Sequence, residues 1–479
     1  MNIACQGIIA GHEIPSGALA DSDGFTGFNA NDGRPLAGRF FDAAPNTIAD
    51  AAAMAGEASG PLADSAPETR ARWMQYVTEG MRSREDEILD RCGAETGYLR
   101  SRVAAEFNRA CHQLDLFADI TRRNHWPDEI VDPADPARTP LPRPELSRRK
   151  RPIGPIAVFG ASNFPLAISV VGNDTVAALA VGCPVIVKSH PGHPGTCHLL
   201  GQIASSATEA TGLPPGTFSL LHGHLPETSL SLVQQPQIAA VGFTGSPTAG
   251  LAIAKHVLQR PRPIPVFAEL GSTNPVFLLP KAMAASSADL ARGLMRSMTF
   301  GNGQMCTKPG LIVVADDPAT QQWIGHLMQN VRDHDSLPLL NQRVADGFDS
   351  GIRRLREDAN IRVAMQGSLP RDAGPWHRAP VIFETDAANA VQATWLHEET
   401  FGPMTIIVRC KEPQEMIRVA AEMGGSLTAT IHASDDELSS SPDSLANRLL
   451  REMENFAGRI VMGGWPTGME IGPATMHGG

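Results

Sequence analysis

The sequence has few aromatic residues, no long apolar run and no excess of basic residues. Aromatic side chains account for 5% of its 479 residues, although apolar residues reach 42%. That apolar content is typical of a folded globular protein and excludes a disordered chain. The formal net charge of −11 argues against nucleic acid or an anionic membrane surface as a partner. A single arginine-lined pocket could still bind an anion against this overall charge.

Closely spaced cysteine pairs are also missing. The sequence contains no Cys-x-x-Cys pair and no regular framework among its seven cysteines, which are Cys5, Cys92, Cys111, Cys183, Cys197, Cys306 and Cys410. This pattern is typical of unpaired thiols in a reducing compartment. The first seven residues have neither a basic region nor a long apolar core. We therefore expect no signal peptide, no membrane span and a cytoplasmic location.

The length predicts more than one domain, because 479 residues exceed what a single core normally holds. Residues 47–118 are mostly helical in pattern, with a helix expected over 170–181 further on. Residues 132–144 contain five prolines and are expected to form an extended arm. Short apolar runs then alternate with amphipathic helices over 156–268 and again over 311–431. This alternation predicts parallel, doubly wound sheets.

The most informative motif places a cysteine in a loop of small residues. The run Phe300-Gly301-Asn302-Gly303-Gln304-Met305-Cys306 follows Ala268-Glu269-Leu270-Gly271, in which Glu269 ends an apolar, strand-like run. A thiolate attacks an sp² carbon, and a nearby carboxylate can activate water against the resulting thioester. The two residues would suffice for a two-step covalent oxidation or hydrolysis. Taken singly, a cysteine is more often a small buried apolar residue and a glutamate a surface charge.

These two motifs resemble the aldehyde dehydrogenase family, whose nucleophile motif reads Gly-Gln-x-Cys and whose general-base motif reads Glu-Leu-Gly. The resemblance implies that Cys306 is the nucleophile and Glu269 the general base. An aldehyde would be oxidised to a carboxylate through a cysteine thiohemiacetal and a thioester, with no metal required. The run 160–165 matches the family's Asn-Phe-Pro motif at the start of a helix. Asn163 would then hold the oxyanion together with the Cys306 N–H, whereas an isolated asparagine there would be a helix cap.

The resemblance also implies a dinucleotide cofactor. Lys188, at the end of a predicted strand, corresponds to the adenosine ribose contact of the family, and the adjacent Ser189 is also expected to bind the cofactor. Members that prefer NAD commonly carry a glutamate at the position of Pro191. A carboxylate there would repel a 2′-phosphate, so its absence favours NADP, with NAD still possible. The two nearby histidines, His190 and His193, are expected on a surface loop.

Two further segments match cofactor contacts of the family. Gly245 and Ser246 lie in a Phe-Thr-Gly-Ser loop that joins a strand to a helix, where small residues and helix N–H groups favour a pyrophosphate. Glu399 and Phe401 lie in a Glu-Glu-x-Phe-Gly-Pro segment. By resemblance they contact the nicotinamide ribose and the nicotinamide ring. Without the other motifs, each segment would be interpreted as an ordinary turn.

The resemblance covers about residues 7–479 and implies the aldehyde dehydrogenase fold. We expect an α/β protein with two doubly wound domains, one of them Rossmann-like, and an oligomerisation arm. The expected ranges are 1–131 and 152–270 for the dinucleotide-binding domain, 132–151 for the arm, 271–457 for the catalytic domain and 458–479 for a C-terminal segment. Relatives usually continue some tens of residues further, so this last segment is expected to be incomplete. A homo-oligomer, dimer or tetramer, is implied.

Several segments are similar to one branch, the NADP-linked 2,5-dioxovalerate (α-ketoglutarate semialdehyde) dehydrogenases. They include 160–165, 188–191, 269–277 and 464–468. Bacterial NADP-dependent fatty aldehyde dehydrogenases look similar at the same places, so an aliphatic aldehyde remains an alternative substrate. A non-catalytic binding or structural protein on the same fold is the alternative of a different class. It would be expected to have lost Cys306 or Glu269, and both are present.

Overall fold

The computed structural model describes residues 4–16, 24–332, 334, 336–439, 441–472 and 474–478. Contacts between backbone segments divide the chain into two compact units. Unit 1 comprises residues 1–28 and 35–269, and unit 2 comprises 29–34 and 270–479. The boundary predicted from the sequence lies after residue 270, and residues 29–34 were expected in the first domain. Within the described residues, no helix is long and apolar enough to cross a membrane.

Unit 1 contains a sheet whose central strands are parallel. The strands of unit 1 are β1 (Ala4–Ile9), β2 (His12–Pro15), β3 (Arg39–Phe40), β4 (Ile130–Asp132), β5 (Leu146–Arg148), β6 (Ile156–Phe159), β7 (Val185–Lys188), β8 (Phe218–Leu221), β9 (Ala240–Thr244) and β10 (Val266–Glu269), of which β4 and β5 form a separate ribbon. The main sheet has the order β10-β9-β6-β7-β8-β1-β2, with β3 beside β1. Strands β6 to β10 pair in parallel, whereas β1 is antiparallel to both β8 and β2.

Helices connect and cover the strands of unit 1. They are α1 (Pro45–Ala63), α2 (Pro67–Ser83), α3 (Glu85–Thr96), α4 (Arg100–Arg123), α5 (Asn173–Val181), α6 (Pro194–Thr211), α7 (Pro226–Gln234) and α8 (Pro247–Leu258). Helix α5 begins three residues later than predicted, and the Asn-Phe-Pro run does not open a regular helix. A side chain at Gly172 would come within 2.6 Å of the Ala167 carbonyl oxygen, which shows how tightly the intervening turn is folded.

The proline-rich arm projects from unit 1 as a short hairpin. Strands β4 and β5 form a two-stranded antiparallel ribbon and, among the residues that the structure describes, pair with no other strand. Their apolar side chains are exposed at Ile130, Val131 and Leu146. An exposed apolar ribbon of this kind is a surface that a second chain can cover. The role of the arm in oligomerisation stays a prediction.

Unit 2 contains the second mostly parallel sheet. Its strands are β11 (Pro275–Leu278), β12 (Leu311–Ala315), β13 (Arg362–Gln366), β14 (Val381–Asp386), β15 (Met404–Cys410), β16 (Ser426–His432) and β17 (Ala457–Met462), in the order β13-β14-β15-β12-β11-β16-β17. Its helices are α9 (Pro280–Thr299), α10 (Pro318–Arg332), α11 (Gln342–Glu357), α12 (Ala387–Ala390), α13 (Pro413–Ala421), α14 (Asp435–Ser439) and α15 (Leu445–Phe456). Alternate residues of β11 and β12 enter two apolar cores on opposite faces. The two sheets with their covering helices confirm the predicted α/β fold class.

Candidate active site

The segment that carries Asn163 follows β6 and is held by a buried carboxylate. Glu106, on α4, accepts hydrogen bonds from the backbone N–H groups of Leu166 at 2.8 Å and Ala167 at 3.2 Å. Burial raises the pKa of Glu106, and the charge of Arg102 opposes that effect. At the start of a regular helix, these backbone N–H groups would lack a partner within the helix. No regular helix begins here, and Glu106 pairs both groups. The predicted oxyanion residue is therefore positioned by a carboxylate that sequence reasoning missed.

Arg102 and Tyr98 also contact the segment that carries Asn163. Arg102 donates to the Asn163 carbonyl oxygen at 3.3 Å, and the Tyr98 hydroxyl donates to it at 3.4 Å. The Arg102 guanidinium also stacks on the Tyr98 ring, 3.6 Å from its centroid. The Asn163 residue is 7% exposed. Both contacts involve the backbone carbonyl oxygen of Asn163, so its side-chain amide can interact with other groups.

Glu269 is the last residue of β10 and lies beside the loop after β9. Its carbonyl oxygen accepts a hydrogen bond from the Gly245 N–H at 3.0 Å. Burial, together with the negative charge of Glu269, raises the pKa of Asp174 to about 6. Asp174 lies in the first turn of α5 and was not singled out from the sequence. Two carboxyl groups with different environments therefore share this end of the unit 1 sheet.

The loop before Cys306 is built from residues in the left-handed region. Gly301, Asn302 and Gly303 have φ values of 57°, 53° and 71°. A side chain at Gly303 would collide with the backbone of Gly402, so the close approach requires glycine. The Gln304 amide donates to the Gly301 carbonyl oxygen at 2.9 Å and accepts from a backbone N–H at 2.8 Å. The Gly-Gln part of the motif is therefore a scaffold for the cysteine.

Cys306 itself is partly exposed, whereas the other six cysteines are buried. Its Sγ lies 3.8 Å from His477 Nε2, near the C-terminal end of the described residues. The charge of Cys306 also acts on Arg459 of β17. Partial exposure and neighbouring nitrogen groups are the environment in which cysteines are reactive.

Asn274 links the Cys306 loop to the unit 2 sheet and is fully buried. Its Nδ2 donates to the carbonyl oxygens of Cys306 at 2.7 Å and Lys308 at 3.0 Å. Its Oδ1 accepts from the Thr428 N–H at 3.2 Å and from the Ser272 hydroxyl at 2.7 Å. With φ at 50°, it occupies a conformation in which asparagine is favoured over most residues. A single amide thus ties the nucleophile loop to β16.

We expect Asn274→Ala to lower the free energy of unfolding by about 2–4 kcal/mol, because buried donors and acceptors lose their partners. Displacement of the loop should also lower kcat/KM by about 10- to 100-fold. Urea unfolding and steady-state kinetics would measure both effects. Asn455→Ala is the matched control, because Asn455 is exposed on α15. Equal stability of the two variants would contradict the anchoring role.

A buried lysine lies two residues after the cysteine. Lys308 is 1% exposed, and its Nζ donates to the Met404 carbonyl oxygen at 2.9 Å. Burial lowers the pKa of Lys308 to about 8, and the charge of Glu399 opposes this effect. Lys308 and Glu399 line one small cavity with Thr400 and Ser272. Glu399, the predicted ribose contact, therefore interacts electrostatically with Lys308, which was not singled out from the sequence. Phe401, the predicted contact of the nicotinamide ring, is partly buried.

The predicted cofactor contacts of unit 1 lie at the carboxyl ends of parallel strands. Lys188 ends β7 and is 9% exposed. Ser246 is exposed and caps α8 by accepting a hydrogen bond from the Ala249 N–H at 3.4 Å. The Gly245 N–H already bonds the Glu269 carbonyl oxygen, so it is not one of the donors available to a pyrophosphate. The main feature of this loop that can bind an anion is therefore the N-terminus of α8.

The side chains of Ser189 and His193 are both buried. The Ser189 side chain is fully buried, and its Oγ lies 2.9 Å from His222 Nδ1. The Ser189 hydroxyl is therefore engaged with His222, and the cofactor contact of Ser189 stays a prediction. His193 was expected on the surface, but it is 1% exposed and its Nδ1 lies 3.2 Å from Cys197 Sγ. The tight turn after β7 directs both side chains inward.

Comparison with known proteins identifies the family. Residues 22–444 match the aldehyde dehydrogenase family. The chain is 38% identical to α-ketoglutaric semialdehyde dehydrogenase 2 of Azospirillum brasilense, covering 97% of this chain and 88% of that protein. It is 35% identical to α-ketoglutaric semialdehyde dehydrogenase of Acinetobacter baylyi, covering 94% and 84%.

A solved structure supports the fold. The crystal structure of 1-pyrroline-5-carboxylate dehydrogenase from Thermus with bound NAD superposes with a TM-score of 0.80 at 20% identity, covering 100% of this chain and 88% of that one. Enzymes of the matched family use NAD or NADP. The predicted family and enzyme class are confirmed. The chain belongs to the aldehyde dehydrogenase family and is an oxidoreductase that acts on aldehydes.

Proposed function

We propose that this enzyme oxidises 2,5-dioxovalerate to 2-oxoglutarate and prefers NADP. The observation that carries the substrate proposal is the 35–38% identity, over more than nine-tenths of the chain, to relatives that are α-ketoglutaric semialdehyde dehydrogenases. The cofactor preference rests on Pro191, which stands where a glutamate would repel a 2′-phosphate.

In the proposed reaction, the Cys306 thiolate forms a bond to the aldehyde carbon. The Asn163 amide and the Cys306 N–H donate hydrogen bonds to the oxygen as it becomes negatively charged. Loss of hydride from that carbon leaves a thioester on Cys306. Glu269 then takes a proton from water, the resulting hydroxide adds to the thioester carbon, and the carbon–sulfur bond breaks. The products are the carboxylate and the regenerated thiolate.

The residues present fit a dinucleotide cofactor. Lys188 offers a cation at the end of β7, and the exposed N-terminus of α8 offers backbone N–H groups to a pyrophosphate. In unit 2, Glu399 offers a carboxylate for ribose hydroxyls. When bound, the nicotinamide supplies the acceptor for the hydride. The protein's own contribution is to orient the substrate carbon, activate the thiol and stabilise the oxyanion.

A dicarbonyl substrate with a carboxylate needs a cationic anchor, because an unpaired buried carboxylate is costly. Arg459 in β17 is a cation within the electrostatic range of Cys306. Its Nη2 donates to the Pro466 carbonyl oxygen at 2.9 Å, while its Nε is buried without a hydrogen-bond partner among the described residues. Burial lowers the pKa of Arg459, and the charge of Cys306 opposes this effect. These features favour Arg459 as the group that receives the substrate carboxylate.

We expect 2,5-dioxovalerate to give the highest kcat/KM in a screen of aldehydes. Arg459→Met should lower kcat/KM for this substrate about 10- to 100-fold, the value of one charge-assisted hydrogen bond. For pentanal, which lacks the carboxylate, the same substitution should change kcat/KM less than about threefold. Arg451→Met is the control, because Arg451 is exposed on α15.

Two other outcomes would contradict the proposed substrate or the proposed role of Arg459. A kcat/KM that rises steadily with alkyl chain length would identify a fatty aldehyde dehydrogenase and refute 2,5-dioxovalerate. An equal loss for both substrates in Arg459→Met would mean that Arg459 only supports the Pro466 segment.

We expect wild-type enzyme to use NADP with a higher kcat/KM than NAD. Pro191→Glu should move the ratio toward NAD by at least about tenfold, which corresponds to about 1.4 kcal/mol. Pro191→Gln is the matched control, because glutamine is about the same size as glutamate but carries no charge. Steady-state kinetics with both cofactors at saturating aldehyde would measure the ratios. A wild-type preference for NAD of tenfold or more would refute the proposal.

A further inference from the structure

A buried cluster in unit 1 combines one cysteine and two histidines from distant parts of the chain. Cys5 lies in β1, His198 in α6 and His222 directly after β8. Their exposed fractions are 1%, 0% and 0%. Cys5 Sγ lies 3.7 Å from His198 Nδ1, which in turn lies 3.3 Å from His222 Nε2. One ligand atom from each residue lies within 4.8 Å of the other two.

The spacing agrees with the edges of a tetrahedral metal site. Zinc binds histidine nitrogen at about 2.0–2.1 Å and cysteine sulfur at about 2.3 Å. Tetrahedral angles then separate two nitrogen ligands by about 3.3 Å, and a nitrogen and a sulfur ligand by about 3.6 Å. The observed separations of 3.3 Å and 3.7 Å lie close to these values. Two of the three edges that these ligand atoms would form in a zinc tetrahedron therefore match, and the third separation lies within 4.8 Å.

The second nitrogen of each imidazole has an outer partner. His198 Nε2 lies 2.9 Å from Glu13 Oε1, and His222 Nδ1 lies 2.9 Å from Ser189 Oγ. Histidine ligands of metals almost always donate their remaining N–H to a carboxylate or another acceptor, which directs the lone pair of the first nitrogen at the ion. Here both histidines have such partners, and both remaining nitrogens point into the cluster with Cys5.

The surroundings suit a metal that must enter from solvent. The Phe40 ring packs against His222 with centroids 4.7 Å apart and closes one side. The Glu13 side chain is 47% exposed and marks the open side. A Cys/His cluster in a protein without disulfides is more typical of metal binding than of cross-linking.

We propose that Cys5, His198 and His222 bind one zinc ion, with a water molecule as the fourth ligand. The Cys5 thiol loses its proton to solvent on binding, so the ion is held by one thiolate and two neutral imidazoles. The site is separate from the catalytic residues. It clamps the N-terminal strand β1 to α6 and to the end of β8, next to the strand that ends in Lys188. A chain of hydrogen bonds without metal is the competing arrangement.

Metal analysis of tag-free, full-length protein tests the proposal. The Cys306→Ala background removes the partly exposed thiol as a competing ligand. After incubation with zinc sulfate and exhaustive dialysis, this background should retain about one zinc ion per chain, and the added Cys5→Ala substitution should lower that to about a tenth or less. Cys183→Ala is the matched control, because Cys183 is also buried in unit 1 and lies outside the cluster. It should retain the ion.

Cobalt substitution gives a second, spectroscopic readout. Co²⁺ added to the Cys306→Ala protein should produce a near-ultraviolet thiolate-to-cobalt absorption band, which Cys5→Ser should abolish and Cys183→Ser should keep. His222→Ala should lose both the zinc and the band. A protein that folds normally but retains no zinc and shows no cobalt band would overturn the proposal and leave the hydrogen-bond chain. Zinc that survives the Cys5 and His222 substitutions would equally overturn it.

Discussion

Cys306→Ala should lower dehydrogenase kcat at least about 1,000-fold and abolish esterase activity, because both reactions require the same nucleophile. The six other cysteines are buried, so none of them can substitute for the missing thiol. Binding of the reduced cofactor, followed by fluorescence, should be unchanged. The side chain that is lost is small and partly exposed, so the fold should also persist.

Cys410→Ala is a suitable comparison for this variant, because Cys410 lies buried in β15 of the same unit. It should cost stability but leave the catalytic cycle intact. If Cys306→Ala retained more than about a tenth of wild-type turnover, a covalent mechanism through this residue would be wrong.

Glu269→Gln should produce a rapid burst of reduced cofactor, followed by steady turnover that is about 100- to 10,000-fold slower than wild type. The substitution preserves the size of the side chain but removes the base that activates water, so the thioester should accumulate. Stopped-flow absorbance of the reduced nicotinamide would separate the two phases. The burst amplitude should approach one equivalent per active chain.

Glu209→Gln provides the comparison, because Glu209 is exposed on α6. It should show no burst and wild-type turnover. Loss of the burst in a folded Glu269→Gln protein would place Glu269 in the first half of the reaction, before hydride transfer.

The sequence was most informative where chemistry and local geometry coincide. Glu269 ends a strand, as the strand-like run predicted, and Cys306 follows a loop of small residues, as expected. The left-handed backbone of that loop was not predicted. The alternation of apolar runs and helices predicted the parallel sheets, because that pattern is local to each element. The family resemblance added the roles of these residues.

The supporting residues could not be predicted, because their function depends on contacts across long sequence distances. Asn274 acts on carbonyl groups more than thirty residues away, and Glu106 acts on N–H groups sixty residues away. Nothing in the spacing of Lys308 indicates that it is buried near Glu399. The role of each of these residues becomes apparent only in the folded structure, where strands and helices bring together segments that are distant in the sequence.

The N-terminal strand illustrates the same limit. Strand β1 is short and contains Gly7, a weak strand residue, so the sequence analysis did not assign it. Cys5, His198 and His222 have no short spacing that would indicate a shared site. The antiparallel pairing of β1 with β8 brings Cys5 near the other two residues.

The central claim, aldehyde oxidation through an acyl group on Cys306, is tested most directly by trapping that group. Glu269→Gln protein would be mixed with 2,5-dioxovalerate and NADP, quenched in acid within seconds and digested for mass spectrometry. We predict an acyl adduct on the peptide that contains Cys306, with an occupancy that matches the burst amplitude. Reduced cofactor formed without an adduct on Cys306, or with the adduct on another residue, would contradict the account.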